Sequence, residues 1–277
     1  MCKRQFQNSK RDKQTEQSLW RQYVYERQTL NQLSSEYKRC KNWIRKRLRN
    51  TVLDIAPIAP QPVTLIADVT FFRRSFGICV FRSPHLRKNL YSHEIKHETV
   101  DVYQQGRRTL ERQGFTLQAI VLDGRPGVRQ VFHDIPVQMC HFHQKRIIRR
   151  YLTNNPRLPA GMELKQLMSL LCDTSEDDFR EALKSWHGKW GQFLKERTVD
   201  PSTGRWHYTH RRLRSAYRSL TTNLPYLFTY QKYPELAIPN TTNALDGTFA
   251  HLKELVNIHR GAGIILKTKI ITEILQK

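Results

Sequence analysis

Three aspartates in this 277-residue chain sit where a backbone would present a carboxylate for chemistry. Asp68 lies in Thr64-Leu-Ile-Ala-Asp-Val-Thr-Phe-Phe72, a run apolar enough to be a strand covered on both faces. A carboxylate there is costly unless a positive charge meets it, from a divalent cation or from an arginine such as Arg73. Asp123 closes Ala119-Ile-Val-Leu-Asp-Gly124. The carboxyl end of a strand is where α/β sheets place site residues, and aspartate before glycine is also an ordinary turn. Asp246 follows the helix-capping run Thr241-Thr-Asn243, so it falls in a first helical turn, where the dipole favours an acid in any case. Brought together, three such carboxylates would hold Mg²⁺ or Mn²⁺. Two ions about 3.5–4 Å apart serve phosphoryl transfer, one activating the nucleophile and the other stabilising the leaving oxygen.

Other side chains stand in supporting positions. At helical spacing Asn243, Asp246, Ala250 and Lys253 share one face, beside an apolar stripe of Leu245, Phe249, Leu252 and Val256. Cys140 and His143 flank His141-Phe142 at a spacing that zinc sites use, but no second cysteine pair accompanies them. A buried thiol beside a helix-start histidine is the simpler reading. Glu235 and Glu254 are the alternative third acids.

The elements that must carry these residues follow from the hydrophobic pattern. Strands are expected at 63–72, 75–82 and 88–94, then a helix at 98–113 and a strand at 117–122. A short helix at 126–132, a strand at 136–140 and a helix at 143–152 complete a mixed α/β pattern. Residues 160–235 read as helical and Trp-rich, with a turn at 201–204, and a last long helix spans 243–257. After Gly261 and Gly263 an apolar, helix-like segment follows.

Residues 1–50 are polar, very basic and free of glycine and proline, and Pro57, Pro60 and Pro62 make 51–62 a stiff linker. Three helices are expected in the first zone: one around Leu19, Trp20, Tyr23 and Val24, one around Leu30, Leu33 and Tyr37, one around Trp43, Ile44 and Leu48. That is the plan of a helix-turn-helix, whose third helix would bring Lys41, Arg45, Lys46, Arg47 and Arg49 to DNA. A hairpin whose charges face water would look the same. The turn glycine of the motif is absent, with Lys38 or Arg39 near its place.

Charge points the same way. The chain carries 47 Lys and Arg against 24 Asp and Glu, a net charge of +23 and a pI near 10.1, which favours a polyanionic partner. Five scattered cysteines without a CxxC pair argue against a disulfide framework, and no apolar run is long enough to span a membrane. An intracellular protein in a reducing cytoplasm is the expectation.

Four segments, in order, give the sequence a resemblance to the mutator-type insertion-sequence transposases, whose catalytic core is RNase H-like. Asp68-Val-Thr-Phe71 and Leu122-Asp-Gly-Arg125 resemble the blocks of the first two acids. Val137-Gln-Met-Cys-His-Phe-His143 resembles the Cys-x-x-His signature, and 238–253 with His259-Arg260-Gly261 resembles the third-acid region. The stretch 28–37 resembles the family's helix-turn-helix. The third acid is Asp246 where that family has glutamate, and Cys2-Lys-Arg-Gln-Phe6 resembles the tail of a zinc ribbon whose other cysteines are missing, as if the chain started late.

The resemblance implies an α/β fold: an RNase H-like core with a mixed five-stranded sheet, its first and fourth strands adjacent, and a helical insertion before the third acid. It divides the chain into a helix-turn-helix (1–50), a linker (51–62), a first core part (63–155), the insertion (156–236) and a last core part (237–277). It implies a DNA transposase in a prokaryotic cytoplasm, associated with the nucleoid. Asp68, Asp123 and Asp246 would be its catalytic metal ligands, with Cys140, His143, Asn243 and Lys253 in support. Partners would be the double-stranded DNA of terminal inverted repeats and target, bound by a homo-oligomer. His207, His210, Arg211, Arg212 and Arg214 would grip DNA ends, or simply form a solvated basic face. A decayed copy that only binds DNA, and another RNase H-like nuclease, are the competing readings.

Overall fold

A run of five buried residues, Val63 to Ala67, opens the sheet: both faces of this strand are covered, and exposure begins only at Asp68. The computed structural model describes residues 10–54, 56–73 and 76–276. The strand is β1 (Pro62–Arg73), followed by β2 (Phe76–Ser83), β3 (Lys88–Ile95), α4 (Val100–Arg112), β4 (Thr116–Leu122), α5 (Pro126–Val131), β5 (Val137–Met139) and α6 (His141–Leu152). Before them stand α1 (Lys10–Val24), α2 (Leu30–Glu36) and α3 (Lys41–Asn50). The five strands form one mixed sheet in the order β3-β2-β1-β4-β5, with β2 antiparallel to β3 and β1, β4 and β5 parallel. The α/β class and the expected strands and helices of this region are present, with ends shifted by a residue or two. α4 lies close against β2, where a β-carbon on Gly106 would come within 2.5 Å of the Phe81 ring.

After α6 come α7 (Pro159–Ser169), α8 (Glu176–Trp190), α9 (Arg211–Leu227) and α10 (Thr229–Lys232), around a core that includes Ile148, Leu164, Phe179, Trp186, Leu220 and Phe228. The helical character expected for 160–235 holds with one exception. A small antiparallel hairpin, β6 (Arg197–Val199) and β7 (Trp206–Tyr208), flanks the expected turn. Asp200 builds that turn by accepting from Ser202 and Thr203, and Gly204 closes it at φ 65°. The helical region is tied to the sheet edge through polar groups. Gln138 donates to the Leu227 carbonyl (2.8 Å) and accepts from the Tyr230 amide (3.0 Å), while Thr229 donates to the Val137 carbonyl (2.7 Å).

The chain divides into two compact units. One comprises Pro60–Val69 and Ser75–Leu245, the sheet and helices just described. The other comprises Met1–Ala59, Thr70–Arg74 and Asp246–Lys277. In this second unit Leu19, Trp20, Tyr23, Leu33, Ile44 and Leu48 pack with Leu255 of α11 (Asn243–Ile258), Ala262, and Leu266 and Ile270 of α12 (Ile264–Gln276). Thr29 and Gln32 form a capping box that starts α2. The turn into α3 passes through Lys38 at φ 50°, the left-handed backbone that a turn glycine would otherwise supply. Lys269 reaches back to cap α3, donating to the carbonyls of Leu48 (3.0 Å), Arg49 (2.9 Å) and Thr51. Among the described residues no helix is long and apolar enough to cross a membrane. The ribbon-like segment 2–6 lies outside the described residues.

Candidate functional site

The parallel register of β1 and β4 sets the geometry. Its last paired positions are Ile66 and Val121. Two residues past that pair come Asp68, within β1, and Asp123, one residue beyond the end of β4, and both side chains are half-exposed. Each carboxylate is oriented locally. Asp68 accepts from the Val69 amide (2.7 Å), and Asp123 accepts from the Arg125 amide (3.2 Å) across the turn at Gly124. Gly124 has φ 91°, and a β-carbon there would meet the Met139 side chain at 2.5 Å, so this turn is both conformationally and sterically restricted to glycine. Arg73, the alternative partner for Asp68, has its side chain outside the described residues.

Cys140 and His143 lie beside this pair. The Cys140 amide donates to the Leu122 carbonyl (2.8 Å), which fixes the start of α6 next to the end of β4. Burial, the largest influence on either group, favours the neutral thiol and the neutral ring. Their mutual interaction overcomes it, helped at the sulfur by Thr242 and at the ring by the charges of Asp68 and Asp123. The thiol is held below its ordinary value, and the imidazole is pushed up to about 9. The Cys140 sulfur also accepts from the Thr242 amide at 3.3 Å, and the His141 amide donates to the Asn240 carbonyl at 2.9 Å. The segment leading into α11 is thereby anchored against α6. His141 turns the other way, with Nε2 2.6 Å from the Leu227 carbonyl and Nδ1 3.5 Å from the Cys172 sulfur.

Several residues here were not anticipated. Arg129 of α5 donates to the Gly124 carbonyl (2.5 Å) and to Asn223, lies over the Tyr226 ring, and continues through Asn223 to Gln144 (2.8 Å). This buried network clamps the turn that carries Asp123. Glu98 binds Arg125 (3.2 Å) and accepts from Tyr103 (2.9 Å). Burial, followed by the charges of Glu98 and Asp68, drives the neighbouring Cys79 thiol far upward, so this thiol stays protonated. Glu98 falls in no motif, and the partners of Arg129 lie too far away in the chain for a local pattern to reveal them.

Among the described residues no three His, Cys, Asp or Glu side chains are grouped to hold a metal ion. Asp68 and Asp123, both half-exposed just past the Ile66–Val121 pair, offer two hard-oxygen donors. Such a pair fits magnesium, which takes one or two protein carboxylates and completes its shell with water and substrate phosphate oxygens. Asp246 is exposed in the first turn of α11 and belongs to the other unit. The faces expected for α11 are seen: Asn243, Asp246, Ala250 and Lys253 are exposed, while Leu245, Phe249, Leu252 and Val256 are buried. Of the alternative acids, Glu254 is bound to Arg27 (2.7 and 3.3 Å), and Glu235 is exposed in a short turn.

On α3, Lys41, Lys46 and Arg49 are exposed and Arg45 is half-exposed, bonded to Asn42 (3.0 Å). Arg47 is drawn onto Glu16 (3.2 Å) and over the Trp43 ring (5.3 Å), so part of it belongs to the scaffold. Comparison with known proteins brings no family model and no curated protein that matches this sequence.

Proposed function

We propose that the chain is a DNA transposase of the mutator-type insertion-sequence class, acting through a carboxylate site on an RNase H-like core. The observation that carries this reading is the parallel pairing of β1 and β4, which puts Asp68 and Asp123 each two residues past the Ile66–Val121 pair. The strand order β3-β2-β1-β4-β5 is compatible with that core. The net charge of +23 and the helical α1–α3 arrangement, with Lys46 and Arg49 exposed, support a DNA partner.

On this reading Asp68 and Asp123 hold magnesium or manganese, with Asp246 as the third carboxylate. A cation held there would stabilise the negative charge on the attacking and leaving oxygens of a phosphoryl transfer. The chain's own residues do the rest. The Gly124 turn and the Arg129–Asn223 clamp fix the Asp123 carboxylate. Cys140 and His143, at the start of α6, stand beside both acids and support the site. Asn243 and Lys253 stand on the exposed face of α11 that also carries Asp246 and would meet substrate phosphates. Exposed cations of α3 bind the terminal repeats, and the protein works as an oligomer on DNA.

The test is magnesium-dependent nicking of a labelled terminal-repeat duplex, comparing wild type with Asp68→Asn, Asp123→Asn and Asp246→Ala. Loss of cleavage in all three variants supports the full site. Cleavage retained in Asp246→Ala moves the third role to another acid, and duplex binding without any wild-type cleavage favours a DNA-binding relic.

A further inference from the structure

The helical region carries a basic, aromatic cleft that the carboxylate site does not use. Its volume is ≈ 620 Å³, and it lies between the end of α8, the hairpin strand β7 and the first turns of α9. Lys195, Arg211, Arg214 and Arg218 line it, together with the rings of Tyr208 and Tyr217. Among the described residues no Asp or Glu lines it. The nearest acid in sequence, Glu196, is bound to His210 at 2.9 Å. Four cations converging without a counter-charge repel one another, so the arrangement favours a bound polyanion.

The cleft is also held in place. Arg214 donates to the Leu194 carbonyl (2.7 Å) and lies 3.5 Å over the Tyr208 ring. Tyr217 stacks on His187 with ring centroids 4.6 Å apart and planes 10° from parallel. Beside Tyr208, at 5.4 Å between centroids, stands Trp206, 52% exposed, with Arg197 4.0 Å from its ring centroid. An exposed indole stiffened by an arginine, next to a row of cations, pairs a stacking platform with charges for a phosphodiester backbone.

We infer that this cleft binds a nucleic-acid strand with unpaired bases, its phosphates on Lys195, Arg211 and Arg218 and a base against Trp206. The inference rests on the DNA reading above only for the choice of nucleic acid as the polyanion. A duplex would use the cations but leave the indole without a base face. An acidic peptide would use the cations without any need for the rings.

Fluorescence anisotropy of a labelled single-stranded oligonucleotide with the full chain tests this, alongside a duplex and polyglutamate as competitors. The variants are Arg211→Glu with Arg218→Glu, Trp206→Ala, and, as a control in α3, Lys46→Ala with Arg49→Ala. The double charge reversal is expected to weaken single-strand binding at least about tenfold and to reduce the salt slope by about one to two. Trp206→Ala is expected to weaken single-strand binding roughly tenfold while sparing duplex binding. Single-strand binding unchanged in both cleft variants, or lost only in the α3 control, overturns the proposal. Equal displacement of the strand by polyglutamate and by unlabelled oligonucleotide also overturns it, because the cleft would then be a general anion surface. Cleavage is a separate measurement. A protein that never nicks DNA but loses single-strand binding with the cleft variants keeps this site and loses the transposase reading.

Discussion

Asp68, within β1, and Asp123, one residue past the end of β4, each lie two residues beyond the Ile66–Val121 pair of two neighbouring parallel strands. A cation bound by the two carboxylates would stabilise the folded chain. Replacing either by asparagine should therefore abolish the stabilisation that added Mg²⁺ gives, a difference read directly by melting in buffer and in 10 mM Mg²⁺, on the order of 1 kcal/mol if the cation binds near 1 mM. Cleavage should drop by roughly a thousandfold, since the lost charge stabilisation amounts to several kcal/mol. A variant that melts like wild type with and without Mg²⁺, where wild type itself responds, would falsify the metal role.

The clamp behind Asp123 makes a different prediction. Asn223→Ala strands one Arg129 N–H and the Gln144 side-chain carbonyl in a buried place, at a cost of about 1–3 kcal/mol. Because Arg129 also holds the Gly124 carbonyl, the change should loosen the Asp123 turn and lower the cleavage rate without altering DNA affinity. Chemical denaturation, single-turnover nicking and an equilibrium binding curve on the same sample separate these effects.

Charges on α3 should divide into two kinds. Lys46→Ala and Arg49→Ala should leave stability unchanged and each lower the salt slope of duplex binding by about one. Arg47→Ala removes a half-buried ion pair with Glu16 and the cover of Trp43, and should cost about 1 kcal/mol of stability. Equal effects of all three on stability would show that the helix presents no dedicated DNA face.

His259 gives the helical unit a pH dependence. Burial holds its imidazole at about 4, with Nε2 lacking a partner and the ring 3.9 Å from that of Tyr23. The unfolded chain takes up this proton near 6.5, before the folded one does, so the contribution is full above 6.5 and is lost as pH falls toward 4. The loss amounts to up to ~3 kcal/mol, at about 1.4 kcal/mol per pH unit. In unfolding curves from pH 7 to 4, wild type should lose stability relative to His259→Phe by up to that amount. Parallel curves would show that His259 titrates normally.

The legible parts of this sequence were those in which a local pattern decides the structure. Val63 to Ala67 announce a buried strand by composition, and Leu245, Phe249, Leu252 and Val256 announce the buried side of α11 by spacing. The place of the missing turn glycine narrows to Lys38 or Arg39 because the helices on either side fix where the turn falls, and the left-handed residue is Lys38. What stayed hidden depends on partners far apart in the chain. Arg129 and Asn223 are separated by 94 residues, and nothing near either one signals the other. The strands of the β6–β7 hairpin are three residues each, too short for alternation to show, although their turn was visible. The apolar, helix-like character of α12 is legible, but not that α1 to α3 receive it.

That last packing bears on how the chain is made. Leu19, Leu33 and Ile44 share a core with Leu255, Leu266 and Ile270, and Tyr25 is hydrogen-bonded to Glu273 across 248 positions of sequence. Contacts of such separation form late. On the ribosome the first three helices emerge with their apolar sides unmatched, and the sheet and its helices are synthesised before the matching segment exists. The helices α1 to α3 therefore depend on synthesis of the segment from Leu255 to Ile270, and a nascent chain halted before residue 255 would expose those apolar sides to chaperones or to other chains.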